Sequence, residues 1–303
     1  MSNWEKLGLI LPPDPTKWWS KTHAALPCPL IIDDNIVRVY YSTRDDDNIS
    51  RVTFADFDTK NPTKLIRKHD HICLPSGLLG SFDEHGVQAT KVIKVGDKYI
   101  LYYAGFRNVL DGYYDLFSGI ATSKDGINFI KMSNMPFLDR ISDEPNIRVA
   151  AVVNNYDLNF YTLFYIAATG WFESNGKKCP KYRMMVSHSN SFNKFENAKC
   201  VMEPNVNSDE IGFSRPWLFG DKLYYAVRKS EKENIPYAHI EEAQYLTTGV
   251  NRTNNLILER SSSGFDSQMV CFPAVLDLPG GRYMWYNGNG YGAEGIGLCK
   301  YVG

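Results

Sequence analysis

The hexapeptide ILYYAG at 100–105 has four relatives in the chain: VRVYYST at 37–43, TLFYIAA at 162–168, KLYYAVR at 222–228 and YMWYNGN at 283–289. Their last aromatics are Tyr41, Tyr103, Tyr165, Tyr225 and Tyr286, so successive copies lie 62, 62, 60 and 61 residues apart. Five such periods occupy the 303-residue chain. A repeat that fills a sequence sets the architecture before any single motif is weighed.

Each period holds more than one strand. In the second, TKVIKVGDKYILYYAGF reads as two strands around Gly96-Asp97, and LFSGIATSKDGINFIKM as two more around Asp125-Gly126. Both turns are hairpin chemistry. Four antiparallel strands repeated radially describe a propeller blade, longer here than the common propeller repeats and so enlarged by loops. The last period stops after MWYNGNGYGAEGIGLCKYV, one strand short. Residues 4–10, WEKLGLI, match the missing outer strand in pattern and are expected to pair with 295–302. The expected fold is all-β, a five-bladed β-propeller of four-stranded antiparallel blades, one domain over 1–303, its ring closed by the N-terminal strand. The alternative is a pair of β-sandwiches.

Composition fits a globular β protein, with 44% hydrophobic and 14% aromatic residues and few segments of helical period. A formal charge of −1 offers no field for nucleic acid or an anionic membrane, and no stretch is long and apolar enough to insert into one. The expected partner is a small molecule, a carbohydrate or sugar phosphate. Cys28, Cys73, Cys179, Cys200, Cys271 and Cys299 are widely spaced without a CxxC pair, and the N-terminus lacks the pattern of a leader. Cytoplasmic residence with reduced thiols is expected, with no cofactor and no metal. GYGAEG at 290–295 has the glycine spacing of a dinucleotide loop but no room for a following helix. His69-Asp70-His71 offers two imidazoles and no third ligand nearby in sequence.

In a blade, starts of first strands and ends of second strands meet at one face. Four of the five segments before a first strand carry acids, Asp83-Glu84, Asp143-Glu144, Asp209-Glu210 and Asp266, the aspartates lying 16 to 22 residues before the marker tyrosine. His23 stands at the corresponding place in the first repeat. Second-strand ends add Arg44, Asp45, Arg107, Asn108, Trp171, Arg228, Asn287 and Asn289, while Arg148 and Arg215 come from first strands. Grouped carboxylates, arginines and aromatic faces suit a polyhydroxylated ligand. The expectation is a central funnel with Asp83, Glu210 and Asp266 as acid and base. Its substrate-binding residues would be His23, Arg44, Asp45, Glu84, Glu144, Arg148, Trp171, Arg215, Arg228, Asn287 and Asn289.

The strand pattern, with FDEHGVQATKVIKVGDKYILYYAGF and MVCFPAVLDLPGGRYMWYNGNGYG, resembles the five-bladed propeller glycoside hydrolases of families 43, 32 and 130. RDDDNISRV, FDEHGV, EIGFSRPW, GFDSQM and YNGNGYGAEGIG are similar to uncharacterised relatives from bacterial surface-polysaccharide gene clusters. The resemblance spans the whole chain and implies a sugar in the funnel. Asp83, Glu210, Arg215, Arg228 and Asp266, with Arg44 and Asp45, match those relatives. Two family acids have no counterpart: LPCPL around Pro27 stands where family 43 has its base, and Gln88-Ala89-Thr90-Lys91 where family 130 has its acid.

Three readings follow. A glycosidase-like enzyme would use two of the three acids, their separation setting retention or inversion. A glycosyl-transferring enzyme or phosphorylase of surface-glycan assembly would hold a phosphate or nucleotide sugar with Arg44, Arg148, Arg215 and Arg228. A sugar-binding propeller would do neither.

Overall fold

The computed structural model describes residues 3–157, 160–174, 177–205, 207–230, 236–246 and 249–303. β1 (Trp4–Leu11) precedes β2 (Thr22–Ile31), β3 (Ile36–Arg44), β4 (Ser50–Asp58) and β5 (Leu65–Lys68), which form one antiparallel sheet in sequence order. β6 (Val87–Val95), β7 (Lys98–Asn108), β8 (Tyr114–Ser123) and β9 (Ile130–Lys131) repeat that order. So do β10 (Ile147–Asp157), β11 (Phe160–Ser174), β12 (Lys177–Ser189) and β13 (Glu196–Met202), and then β14 (Glu210–Phe219), β15 (Lys222–Ser230), β16 (Pro236–Leu246) and β17 (Gly249–Leu258).

β18 (Cys271–Leu278), β19 (Gly281–Asn287) and β20 (Ile296–Tyr301) complete the series. The fourth strand of that sheet is β1, antiparallel to β20, with Trp4 opposite Tyr301 and Leu11 opposite Ile296. The sequence expectation of separate four-stranded sheets needs one amendment. β9 pairs with only Ala121 and Thr122 of β8, and Leu138 bridges Ser118, leaving the Leu116–Phe117 end of that edge open. β10 takes it, in parallel, with Ile147 opposite Leu116 and Arg148 opposite Phe117, which merges two four-stranded units into one eight-stranded sheet.

Hairpin chemistry explains the first turn in two of the repeats. Gly96 (φ 60°) and Gly220 (φ 61°) sit first in two-residue turns, where a positive φ is required. The marker tyrosines follow from packing. All five are buried, each removing a large ring from water at a gain of about 2–3 kcal/mol. Two face glycine across the sheet: Tyr103 opposite Gly119 and Tyr286 opposite Gly297, where a Cβ would collide with the ring. Contacts between first strands run from β2 to β6, β6 to β10, β10 to β14, β14 to β18 and β18 back to β2.

Candidate functional site

Each of the strands β2, β6, β10, β14 and β18 loses register with its hairpin partner part-way along, in β18 just after its first residue. The breaks lie between Ala25 and Cys28, Ala89 and Lys91, Ala150 and Val152, Ser214 and Trp217, and Cys271 and Ala274. Residues left unpaired there, Leu26, Thr90, Ala151, Arg215 and Phe272, all line one cavity of about 340 Å³. Bulges re-aim side chains and bend a strand, and here five of them aim at the same space. Arg44, Phe106, Ile166 and Arg228 from the second strands, with Tyr114 and Tyr182 from the third, complete much of its wall.

Backbone strain gathers at this cavity. Nine non-glycine residues among those described have a positive φ. Asn48, Asp111, Asn197 and Asn254 are of the types that tolerate it. His23, another type enriched there, adjoins Arg44, and the remaining four, Leu26, Arg215, Phe272 and Tyr291, all line the cavity. Leu26, Arg215 and Phe272 each precede a proline, which restricts them further. A left-handed bulky residue costs about 1–3 kcal/mol, and such strain collects where function holds it.

The electrostatics are one-sided. Arg44, Lys178, Arg215 and Arg228 line the cavity, whereas no carboxylate is among its lining residues. Arg215 donates to the Pro27 and Thr90 carbonyls, at 2.8 and 2.9 Å, and to Cys28 Sγ at 2.9 Å. Its Nε and Nη1 are buried without a partner. Arg228 donates to the Pro180 carbonyl at 3.0 Å and lies 4.8 Å over the Tyr182 ring. Burial lowers the pKa of both Arg44 and Arg215, because a charge removed from water is held less readily. Burial and Arg44 together push His23 down to about 4, so its imidazole is neutral near pH 7.

The three acids expected at the funnel are not brought together there. Asp83 is buried, 2.6 Å from Lys131 Nζ, and accepts from the Tyr103 hydroxyl at 3.2 Å. Asp266 is buried, 2.7 Å from Lys6 Nζ, and accepts from the Tyr286 hydroxyl at 2.9 Å. Glu210 pairs with Arg252 at 2.7 Å and borders a separate pocket with Phe172, Lys181 and Pro204. Burial acts to raise its pKa, but Arg252 and the Asn205 N–H hold it below the usual carboxylate value. Glu144 is bound by Arg148 at 2.6 Å, Arg183 at 3.0 Å and the Tyr165 hydroxyl at 3.0 Å, which keeps Arg148 out of the cavity wall as well. Each of these four acids thus has a cation partner within its own four-stranded unit.

Other expected ligand residues also have structural partners. Asp45 accepts from the N–H groups of Asp47 and Ile49 and pairs with Arg51 at 2.6 Å. Glu84 accepts from Gly80 N–H. Asn287 accepts from Leu26 N–H at 2.8 Å and donates to the Ala24 and Gly295 carbonyls, which fixes the Leu26 bulge. Asn289 accepts from Gln268 N–H at 2.7 Å. Trp171 packs edge-on to Tyr114 at 5.2 Å, behind the wall. Arg44, Arg215 and Arg228 are the expected residues that line the cavity; Leu26, Thr90, Phe106, Tyr114, Tyr182, Phe272 and Tyr291 were not anticipated. Proline inside a strand marks a bulge or an edge, so Pro27, Pro216 and Pro273 were the signal available for three of the five bulges.

No protein-family model matches the sequence. Two uncharacterized proteins of Mycobacterium tuberculosis, from strains ATCC 25618/H37Rv and CDC 1551/Oshkosh, are each 29% identical over 300 residues, covering 98% of this chain and 98% of their own. Among solved structures, a thermostable family-43 glycoside hydrolase matches with a TM-score of 0.63 at 15% identity, over 92% of this chain and 88% of that one. The chain shares the fold of glycoside hydrolase-like propeller proteins. BT0996, solved as a complex with RGII, has the same propeller fold, with a TM-score of 0.71 at 15% identity over 97% of this chain and 90% of its own. A β-1,2-mannobiose phosphorylase from Listeria innocua, solved with β-1,2-mannobiose, gives 0.69 at 11% identity, over 99% and 97%. At these identities the likeness is one of fold.

Proposed function

We propose that the chain is a carbohydrate-active protein, one cytoplasmic domain over 1–303 with five blades around an axis, and that the cavity at the inner-strand bulges holds its sugar. The observation behind this reading is the convergence of five bulged residues and four strained ones on a single space. The cyclic order of contacts among the first strands supports the ring, and the β1–β20 pairing supports its closure. A wall of Phe106, Tyr114, Tyr182 and Phe272 offers flat faces for sugar rings, with Gln88, Thr90 and Ser214 to meet hydroxyls. The fold relatives, among them a glycoside hydrolase and a sugar phosphorylase, raise the weight of a carbohydrate ligand.

Hydrolysis by Asp83, Glu210 and Asp266 is the weaker mechanism, since that chemistry needs two carboxyls facing one bond. Transfer of a glycosyl group from a phosphate or nucleotide-sugar donor is favoured by the arginine-lined wall. A phosphate leaving group needs cations to stabilise its charge more than it needs a general acid. Thermal stabilisation by a panel of oligosaccharides and sugar nucleotides tests the reading, run beside Ala151→Leu, which fills the cavity from an inner strand. Ligands that stabilise the wild type should leave the variant's melting temperature unmoved. Equal stabilisation of both would place the sugar elsewhere.

A further inference from the structure

Five arginines are buried among the described residues: Arg38, Arg51, Arg148, Arg215 and Arg228. Three are neutralised inside the protein, Arg38 by Asp56 at 2.8 Å, Arg51 by Asp45 at 2.6 Å and Arg148 by Glu144 at 2.6 Å. The other two are Arg215, 3% exposed, and Arg228, 6% exposed, and neither has a carboxylate partner. Both line the cavity. Arg44, also in the wall, donates to the Asn48 side-chain carbonyl at 2.9 Å and has no carboxylate partner among the described residues. Taking a charge out of water without a counter-charge costs several kcal/mol, and a fold that neutralises its other buried arginines does not leave two with hydrogen bonds but no counter-charge in one wall by accident of packing.

We infer that the cavity is the seat of an anion, the phosphate or carboxylate group of a sugar, which supplies the counter-charge that Arg215, Arg228 and Arg44 lack. This rests on the carbohydrate reading for the sugar but not for the anion. Guanidinium is suited to the task, because its planar donors meet phosphate and carboxylate oxygens in pairs and it keeps its charge when buried. The apolar wall lowers the local dielectric and so strengthens the attraction. Arg215 brings two unpartnered donors from the bulge of β14, Arg228 comes from the adjacent strand β15, and Arg44 from β3 faces the same space. Binding and folding stability are therefore coupled: the free protein bears two uncompensated charges that the ligand relieves.

Calorimetric titration with sodium phosphate, glucose 1-phosphate, glucuronate and glucose, at fixed ionic strength, tests this. At least one anionic sugar should bind about tenfold or more tightly than glucose, and its affinity should fall as sodium chloride rises. Arg228→Gln should weaken it by about tenfold or more, and so should Arg44→Gln, whose part-exposed position spares the fold if Arg228→Gln does not fold. Competition by inorganic phosphate against glucose 1-phosphate assigns a phosphate ester, whereas preference for glucuronate assigns a carboxylate. Glucose binding as well as the anions, anion affinity unchanged in both variants, or no anion binding at all overturns the seat. Neutral oligosaccharides binding alone would leave the carbohydrate reading standing without it. Arginine-dependent binding of inorganic phosphate with no sugar bound would leave the seat standing and remove the carbohydrate.

Discussion

Lys6 Nζ lies 2.7 Å from the Asp266 carboxylate, binding the first strand of the chain to the loop that leads into the last inner strand. The same relationship recurs between Asp83 and Lys131 at 2.6 Å, Glu144 and Arg183 at 3.0 Å, and Glu210 and Arg252 at 2.7 Å. In each, an acid ahead of or opening the first strand meets a cation from the third or fourth. The marker tyrosine of the second strand donates to that acid in three of the four, as Tyr103, Tyr165 and Tyr286. Tyr225 instead donates to Glu241, directly opposite it on β16, and Arg252 bridges Glu241 to Glu210. These clamps tie the first strand to the fourth in three of the four-stranded units and to the third in the unit of β10–β13.

Asp266→Asn should therefore destabilise the protein by about 3 kcal/mol, since it leaves Lys6 without its counter-charge and weakens the bond to Tyr286. Adding Lys6→Met should recover part of that loss. Urea unfolding of the two single variants and the double variant measures the coupling. Additive losses would mean that the pair does not act as one.

Arginines inside and outside the clamps should respond oppositely. Arg252→Met removes the cation from Glu210, while Glu241 keeps the Tyr225 hydroxyl and His239, and should cost about 3 kcal/mol. Arg228→Met removes an uncompensated charge and should leave the ligand-free protein within about 1 kcal/mol of wild type, or more stable. Melting temperatures in a buffer without phosphate decide it, and an equal loss in both would show that Arg228 is already neutralised.

His23 predicts a pH dependence. Its folded pKa is lowered to about 4, chiefly by burial and then by Arg44, against about 6.5 when unfolded. Below about pH 6.5 the unfolded chain gains a proton that the folded one resists, so stability is lost as pH falls towards 4. Urea midpoints at about pH 7 and about pH 5 should differ less in His23→Gln than in wild type. An identical difference in the variant would remove His23 as a cause.

All six cysteines are free, and Cys200 alone is exposed. Burial and the neighbouring Glu203 raise its pKa to about 11, so it should react slowly with a thiol reagent near neutral pH and faster as pH rises. The native protein should expose one reactive thiol, and the denatured, unreduced protein six. A count below six would reveal a disulfide.

The strand order was legible in the sequence because backbone pairing follows local signals. Alternating apolar residues, turn glycines such as Gly96 and the recurring tyrosines each act within a few residues of themselves. Even the pairing of β1 with β20 could be read, since the last period is one strand short and the first residues match the missing strand. The site was legible only in its arginines. Asp83, Glu144, Glu210 and Asp266 recur at regular places, and regular spacing reports a shared environment without saying whether that environment is a cavity or a salt bridge. Lys131, Arg252 and Lys6, the cations that meet three of these acids, come from outer strands whose register no local pattern sets.

Sequence by itself determined the five-period strand plan and the all-β character, because hydrogen-bonded ladders and hairpins are specified by neighbours in the chain. Only the tertiary structure decided which charges neutralise one another and which remain. Charge pairing depends on distances of a few ångströms between strands far apart in sequence, and at Arg215 and Arg228 those distances leave two buried cations with no carboxylate partner among the described residues.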